Sequence, residues 1–215
     1  MVLMRKTLVI VLLGLALAPA ARAQQVIDRI VARIENDVIT ESDLNELGRY
    51  QKLVDGKEQP EAKRLQELVE QWVVNHEATF SAIRKPTEKE LKEAYDQLQK
   101  RFGTPAIFEK RLDDLGLTEK QVRDMLERQI FLSRFLEYKF RPEVQVSERQ
   151  IEEYYRNTLV PELKRTGQSV PPLESVADKI RQVLIERGID QRAAKWLDEM
   201  RTRWKVVMIG GKPSS

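Results

Sequence analysis

The sequence predicts a mainly α domain closed by a small sheet that joins the two ends of the chain. Three observations carry that expectation. Helix formers dominate the 215 residues, and Gly and Pro number only nine each. Hydroxyl residues followed three positions later by Asp, Glu or Gln recur along the chain, the mark of capped helix starts. Strand-like patterning is confined to one stretch near the beginning and one near the end.

The elements follow in order. Arg5 and Lys6, the apolar run Thr7 to Ala18, Pro19 and the small residues of Ala21-Arg22-Ala23 have the layout of a secretory signal peptide over 1–23. Cleavage is expected after Ala23, and the apolar run is too short for a membrane anchor, which takes about 20 residues. Ile30, Ala32 and Ile34 alternate with Val31, Arg33 and Glu35, which predicts a half-buried strand. Asn36-Asp37 reads as a turn and Val38-Ile39 as a short return strand.

Helices are expected near 41–53, 60–83, 88–102, 105–114, 119–139 and 148–165. Thr40-Glu41-Ser42-Asp43, Thr87 to Glu90, Thr118 to Gln121 and Ser147 to Gln150 supply capping boxes, and Thr104-Pro105 places Pro at a first helical position. Thr166 to Leu173 is the clearest linker, because Gly167 and Pro171-Pro172 stop a helix there. Two further helices, about 174–187 and 190–203, are expected on either side of Gly188. Trp204 to Ile209 then reads as a final strand, whose available partner is the opening hairpin. The resulting organisation is 24–165, a linker at 166–173, a C-terminal segment 174–209 completing the same domain, and a frayed tail at 210–215.

Composition excludes several kinds of chemistry. With no Cys and a single His, His76, the chain has no thiol nucleophile and no zinc helix of two histidines. Neither Gly56-Lys57 nor Gly211-Lys212 has the glycine that a phosphate-binding loop requires. Without Arg5, Lys6 and Arg22 of the leader, the 37 basic residues fall to 34 and equal the 34 acidic ones, so nothing asks for nucleic acid. Export without Cys suits the periplasm. His76 reads as an ordinary helix-flank histidine, and pairs such as Glu152-Glu153 or Asp113-Asp114 as parts of a salt-bridged helix surface. No catalytic, cofactor-binding or metal-ligating residue is assigned.

The aromatic residues concentrate in one third of the chain. Phe131, Leu132, Phe135, Leu136 and Tyr138 make one helix apolar over more than one face, so it is either buried on two sides or leaves a patch for something else. Phe102, Phe108, Met125, Phe131, Phe135, Tyr138, Tyr154 and Tyr155 are the candidate peptide-binding residues of such a groove.

Asp28 to Leu44 (DRIVARIENDVITESDL) resembles the opening of SurA-type periplasmic chaperones and the related PpiD-type foldases. The order from Leu65 to Pro142 is similar, as is the end, with Ala193-Ala194-Lys195-Trp196-Leu197 and Lys205 to Met208. Such proteins usually carry one or two parvulin-type prolyl isomerase domains between these parts. Here that interval, Val146 to Leu173, is too short for one. The resemblance implies a SurA-like helical chaperone domain without its isomerase. The partners it implies are non-native outer-membrane proteins or aromatic-rich peptides. The balanced charge and the short apolar run of the leader argue against a nucleic acid partner and against stable membrane insertion after cleavage, and a homodimer is left open. Two alternatives stand beside this periplasmic holdase: residual prolyl isomerase activity, and a dedicated adaptor of outer-membrane assembly.

Overall fold

A computed structural model describes residues 28–79 and 81–209. The expected leader at 1–23 and tail at 210–215 lie outside the described residues. The chain opens with β1 (Ile30–Ile34) and β2 (Asp37–Thr40), an antiparallel hairpin. Its turn is Glu35-Asn36, one position earlier than the sequence suggests, because Ile34 pairs with Asp37 and Glu35 takes a positive φ of 54°.

Thr40 ends the hairpin and starts α1 (Glu41–Asp55). The Thr40 hydroxyl accepts from the Asp43 N–H at 3.3 Å, and the Asp43 carboxylate accepts from the Thr40 N–H at 2.8 Å. The same reciprocal box opens α3 (Glu88–Lys100), α5 (Glu119–Phe140) and α6 (Glu148–Tyr154), at the four places the sequence marks. Thr104 caps α4 (Pro105–Leu115) with Pro105 at the first position.

Four expectations need correction. The second helix, α2, runs over Glu61–Ala78 and stops short of Ile83. There the Thr79 and Ser81 hydroxyls donate to the Asn75 and Ala78 carbonyls, taking up groups that a continuing helix would use. Second, the expected break at Gly188 is absent, and α8 is continuous over Leu173–Arg203. A Cβ at Gly188 would lie 2.7 Å from Val144 Cγ1. The glycine gives room for the crossing chain, and α8 tolerates its helix penalty of about 1 kcal/mol.

Third, the helix expected over 148–165 contains a π turn at Tyr155–Leu159 between α6 and α7 (Val160–Arg165). Pro161 lies just beyond it. A proline ring clashes with the carbonyl four residues back, and widening the preceding turn relieves that clash without ending the helix. Fourth, the final strand β3 is only Val207–Met208. Trp204 to Val206 instead finish α8: the Lys205 N–H donates to the Thr202 carbonyl and the Val206 N–H to the Arg201 carbonyl. This is the double bond of a Schellman end, with Lys205 at the left-handed position, φ 48°.

The strand order is β2-β1-β3, all antiparallel, so the two ends of the described chain meet in one sheet as the sequence predicts. The core has three parts. The sheet underside (Val31, Ala32, Ile34, Ile39) packs on Val69, Val73 and Val74 of α2, Phe131 and Phe135 of α5, and Leu197 of α8. Leu47, Tyr50, Tyr95, Phe108, Leu112, Val122 and Met125 join α1, α3, α4 and the first half of α5. Phe140 meets Ile189 and Ala193. α5 is thus apolar on two sides because its halves face different partners.

Outside these clusters, α6 packs on the first half of α8. Ile151 of α6 and Ile180 of α8 are each buried, and an Arg181–Glu148 ion pair at 2.7 Å joins the two helices. Thr166 to Pro172 links α7 to α8.

Candidate functional site

The two-sided burial of α5 decides where its remaining surface opens. Beside its first half lies a depression of about 560 Å³, bounded by Asn75, Ala78 and Thr79 at the end of α2 and by Ser81, Ile83 and Lys85 of the following connection. From α5 come Asp124, Glu127, Arg128 and Phe131. Ala78, Ile83 and Phe131 supply the apolar part, and the charged groups carry both signs. Lys85 and Glu127 pair at 3.0 Å across it.

Further along α5 lies an open trough of about 700 Å³, lined by Gln129, Ile130, Ser133, Arg134, Glu137 and Tyr138. Tyr138 is 58% exposed. Arg134 is fixed at the trough's edge by the Glu90 carboxylate at 2.7 Å and the Arg84 carbonyl at 3.1 Å. The Thr87 backbone N–H, then the Thr87 hydroxyl and Arg134, hold the Glu90 carboxyl below its usual range.

Gln129 also lines a smaller cavity of about 140 Å³ between α1, α2 and α5, with Tyr50, Gln51, Glu67, Gln71 and Met125 among its walls. The Tyr50 hydroxyl donates to Gln129 Oε1 at 3.1 Å. Burial pushes the Tyr50 phenol up to about 12. Burial likewise raises the Glu67 carboxyl, although the Gln51 amide donates to it at 2.9 Å. These groups are tied to neighbours and form a polar seam between helices.

The eight aromatic and methionine candidates do not converge. Phe108 and Met125 are buried in the core, and Phe102 is half-buried against Phe108 at 5.1 Å. Phe131 and Phe135 belong to the cluster under the sheet, where Phe135 meets Trp196 at 5.7 Å. Phe131 also forms part of the 560 Å³ depression. Tyr154 and Tyr155 lie in the outer helix pair. Arg187 covers the Tyr154 ring at 4.9 Å, and the Tyr155 hydroxyl donates to the Pro171 carbonyl at 2.7 Å. Tyr138 alone of the eight is widely exposed. Sequence reasoning passed over Ile83, Ile130 and Arg134. Ile130 falls outside the apolar stripe of its helix, which was the available signal.

His76 stacks on Trp72 with ring centroids 5.0 Å apart and meets the edge of Trp204 at 4.3 Å. The Trp72 indole N–H donates to Asp37 and that of Trp204 to Glu77. The histidine therefore belongs to a clasp that holds α2 against both the hairpin and the end of α8. Glu152 and Glu153 pair with Arg156 and Arg149 along their own helix. Among the described residues no helix is long and apolar enough to cross a membrane.

No protein-family model matches the chain. It is similar to Chaperone SurA of Pseudomonas fluorescens (strain Pf0-1), with 29% identity over 156 residues. The match covers 68% of this chain and 36% of that protein, so the chain spans little more than a third of the relative's length.

Proposed function

We propose that the chain is an ATP-independent holdase that captures non-native outer-membrane proteins in the periplasm after its leader is removed. The observation that carries this reading is the similarity to Chaperone SurA over 68% of the chain. The open surface of α5 supports it. The depression offers the half-buried Ile83, floored by the buried Ala78 and Phe131, within a rim of mixed charge, and the trough offers Ile130 and Tyr138. Mixed charge tolerates segments of either sign, which suits clients of unrelated sequence.

Binding is by exclusion of water and forms no covalent bond, so no residue is given a catalytic role. Apolar burial contributes about 25 cal/mol per Å². At that rate about 500 Å² or more of apolar contact, less an association cost of at least about 4 kcal/mol, is needed for roughly micromolar affinity. Reversible capture at that strength lowers the free concentration of aggregating species by mass action.

The test is dilution of a denatured outer-membrane barrel protein into buffer with an equimolar amount of this protein and no nucleotide. Light scattering is expected to fall, and the double change Ile130→Asp with Tyr138→Asp to restore part of it. Unchanged scattering with the unaltered protein refutes the proposal. In a proline-peptide isomerisation assay the rate is expected to match the uncatalysed one, and acceleration would assign foldase activity instead.

A further inference from the structure

The two edges of the sheet are finished differently. At the β2 edge, Asp37 is charged and accepts from the Trp72 indole, while Thr40 passes directly into the cap of α1. The β3 edge has neither device. Val206 to Ile209 contains no charge, no Pro and no bulge, and Val207 and Met208 are 55% and 49% exposed. Soluble proteins ordinarily protect such an edge, because its free backbone groups can template another strand.

The register shows which groups turn away from β1 and, among the described residues, have no partner. Arg33 pairs with Val207 and Ala32 with Met208, and the Ile209 N–H donates to the Val31 carbonyl at 2.8 Å. Antiparallel pairs alternate between bonded and non-bonded, so Val207 and Ile209 turn their backbone groups toward β1. Met208 therefore turns its N–H and C=O outward. The Val206 carbonyl faces the same way, its N–H being already given to Arg201.

Building on the holdase reading, we infer that the β3 edge receives an extended, uncharged segment of the non-native client as an added antiparallel strand centred on Met208. Area selects this occupant over a second copy of the chain. A stable protein interface buries about 1,200–2,000 Å². An edge of four residues offers only a fraction of that, which fits a short segment held transiently. Main-chain bonds at Met208 recognise the extended backbone irrespective of sequence, and the exposed Val207 and Ile209 favour apolar side chains in it.

The test uses the purified protein and a fluorescein-labelled peptide of alternating valine and threonine, titrated by anisotropy. Met208→Pro removes the outward N–H and leaves the bonds of Val207 and Ile209 to β1. It is expected to weaken binding about tenfold, the loss of roughly one main-chain hydrogen bond. Met208→Ala, which keeps the N–H, should change it less than about threefold. The same peptide N-methylated throughout should not bind, and this arm decides the matter if Met208→Pro does not fold. Equal affinity for Met208→Pro overturns the inference. So does dimerisation through β3, or peptide binding that appears only after deletion of 210–215. Light scattering separates the two failures. If the unaltered protein still suppresses aggregation while the peptide arms fail, the strand-addition site is wrong and the holdase reading stands. Absence of suppression removes both.

Discussion

Phe108 in the body and Ile151 in the outer helix pair are both almost fully buried, but their surroundings differ. Phe108 meets Tyr95 and Phe102 within a cluster drawn from α1, α3, α4 and α5. Ile151 belongs to none of the three core clusters, and α6 has its tertiary packing on α8. Burial of one residue therefore does not make a region cooperative. The body is held by elements distant in sequence, including the two strands that bring 30–34 and 207–208 together. The helix pair rests on one apolar layer with surface ion pairs, which individually contribute about 0–1 kcal/mol.

The largest expected effect sharpens this contrast. Phe108→Ala should cost about 3–5 kcal/mol in a urea melt, because the site cannot collapse around the lost ring. Ile151→Ala removes fewer atoms and should act mainly locally. Hydrogen exchange of α6 and α7 amides should accelerate while α2 and α5 amides keep their protection. Equal acceleration in all four helices would show that the outer pair and the body open as one unit. Next comes the place where the two regions touch. Gly188→Ala puts a methyl against Val144, and the overpacking should cost about 1–3 kcal/mol by thermal melting. Val144→Ala in the same protein should recover part of that loss.

The same helix ending occurs in both regions with different residues at the left-handed position. Lys205 occupies it at the end of α8, and Gly167, φ 71°, at the end of α7. Lys205→Gly should raise the stability of the body by about 1 kcal/mol, since a side chain there is strained. Gly167→Ala should cost a similar amount, about 1 kcal/mol, read as faster exchange in α7 alone.

The smallest effect at neutral pH concerns Tyr50. Its folded value of about 12 lies above the ordinary 10 of an unfolded tyrosine. A raised value means that its contribution is intact below pH 10 and is lost as pH rises toward 12. Burial raises the Tyr95 phenol as well, so ultraviolet titration should show more than one late tyrosine, and Tyr50→Phe should remove one of them.

What could be read from the residues follows the range of the forces involved. Capping boxes are local, so the starts at Thr40, Thr87, Thr118 and Ser147 were all legible. The joining of the two ends was legible too, because a lone terminal strand needs a partner and one hairpin was available. Gly188 misled for the opposite reason: it is a breaker by local rules, but its place against Val144 explains it. The helix over 148–165 is read without interruption, and the π turn ahead of Pro161 has no local signal beyond that proline. The site was the least legible part. The sequence shows that α5 is apolar on two sides, yet whether those sides face partners or solvent depends on α2, α8 and the sheet. Phe131 and Phe135 were therefore grouped with Tyr138, although the fold buries the first two and exposes the third.

Under the proposed function, clients are held on the open surface of α5 and not on the outer helix pair. A photo-crosslinking residue placed in turn at Ile130, Tyr138, Leu163 and Val176 tests it directly, with an unfolded outer-membrane protein as the captured chain. Adducts at 130 and 138, with little at 163 and 176, are the expected result. Adducts confined to 163 and 176 would contradict it.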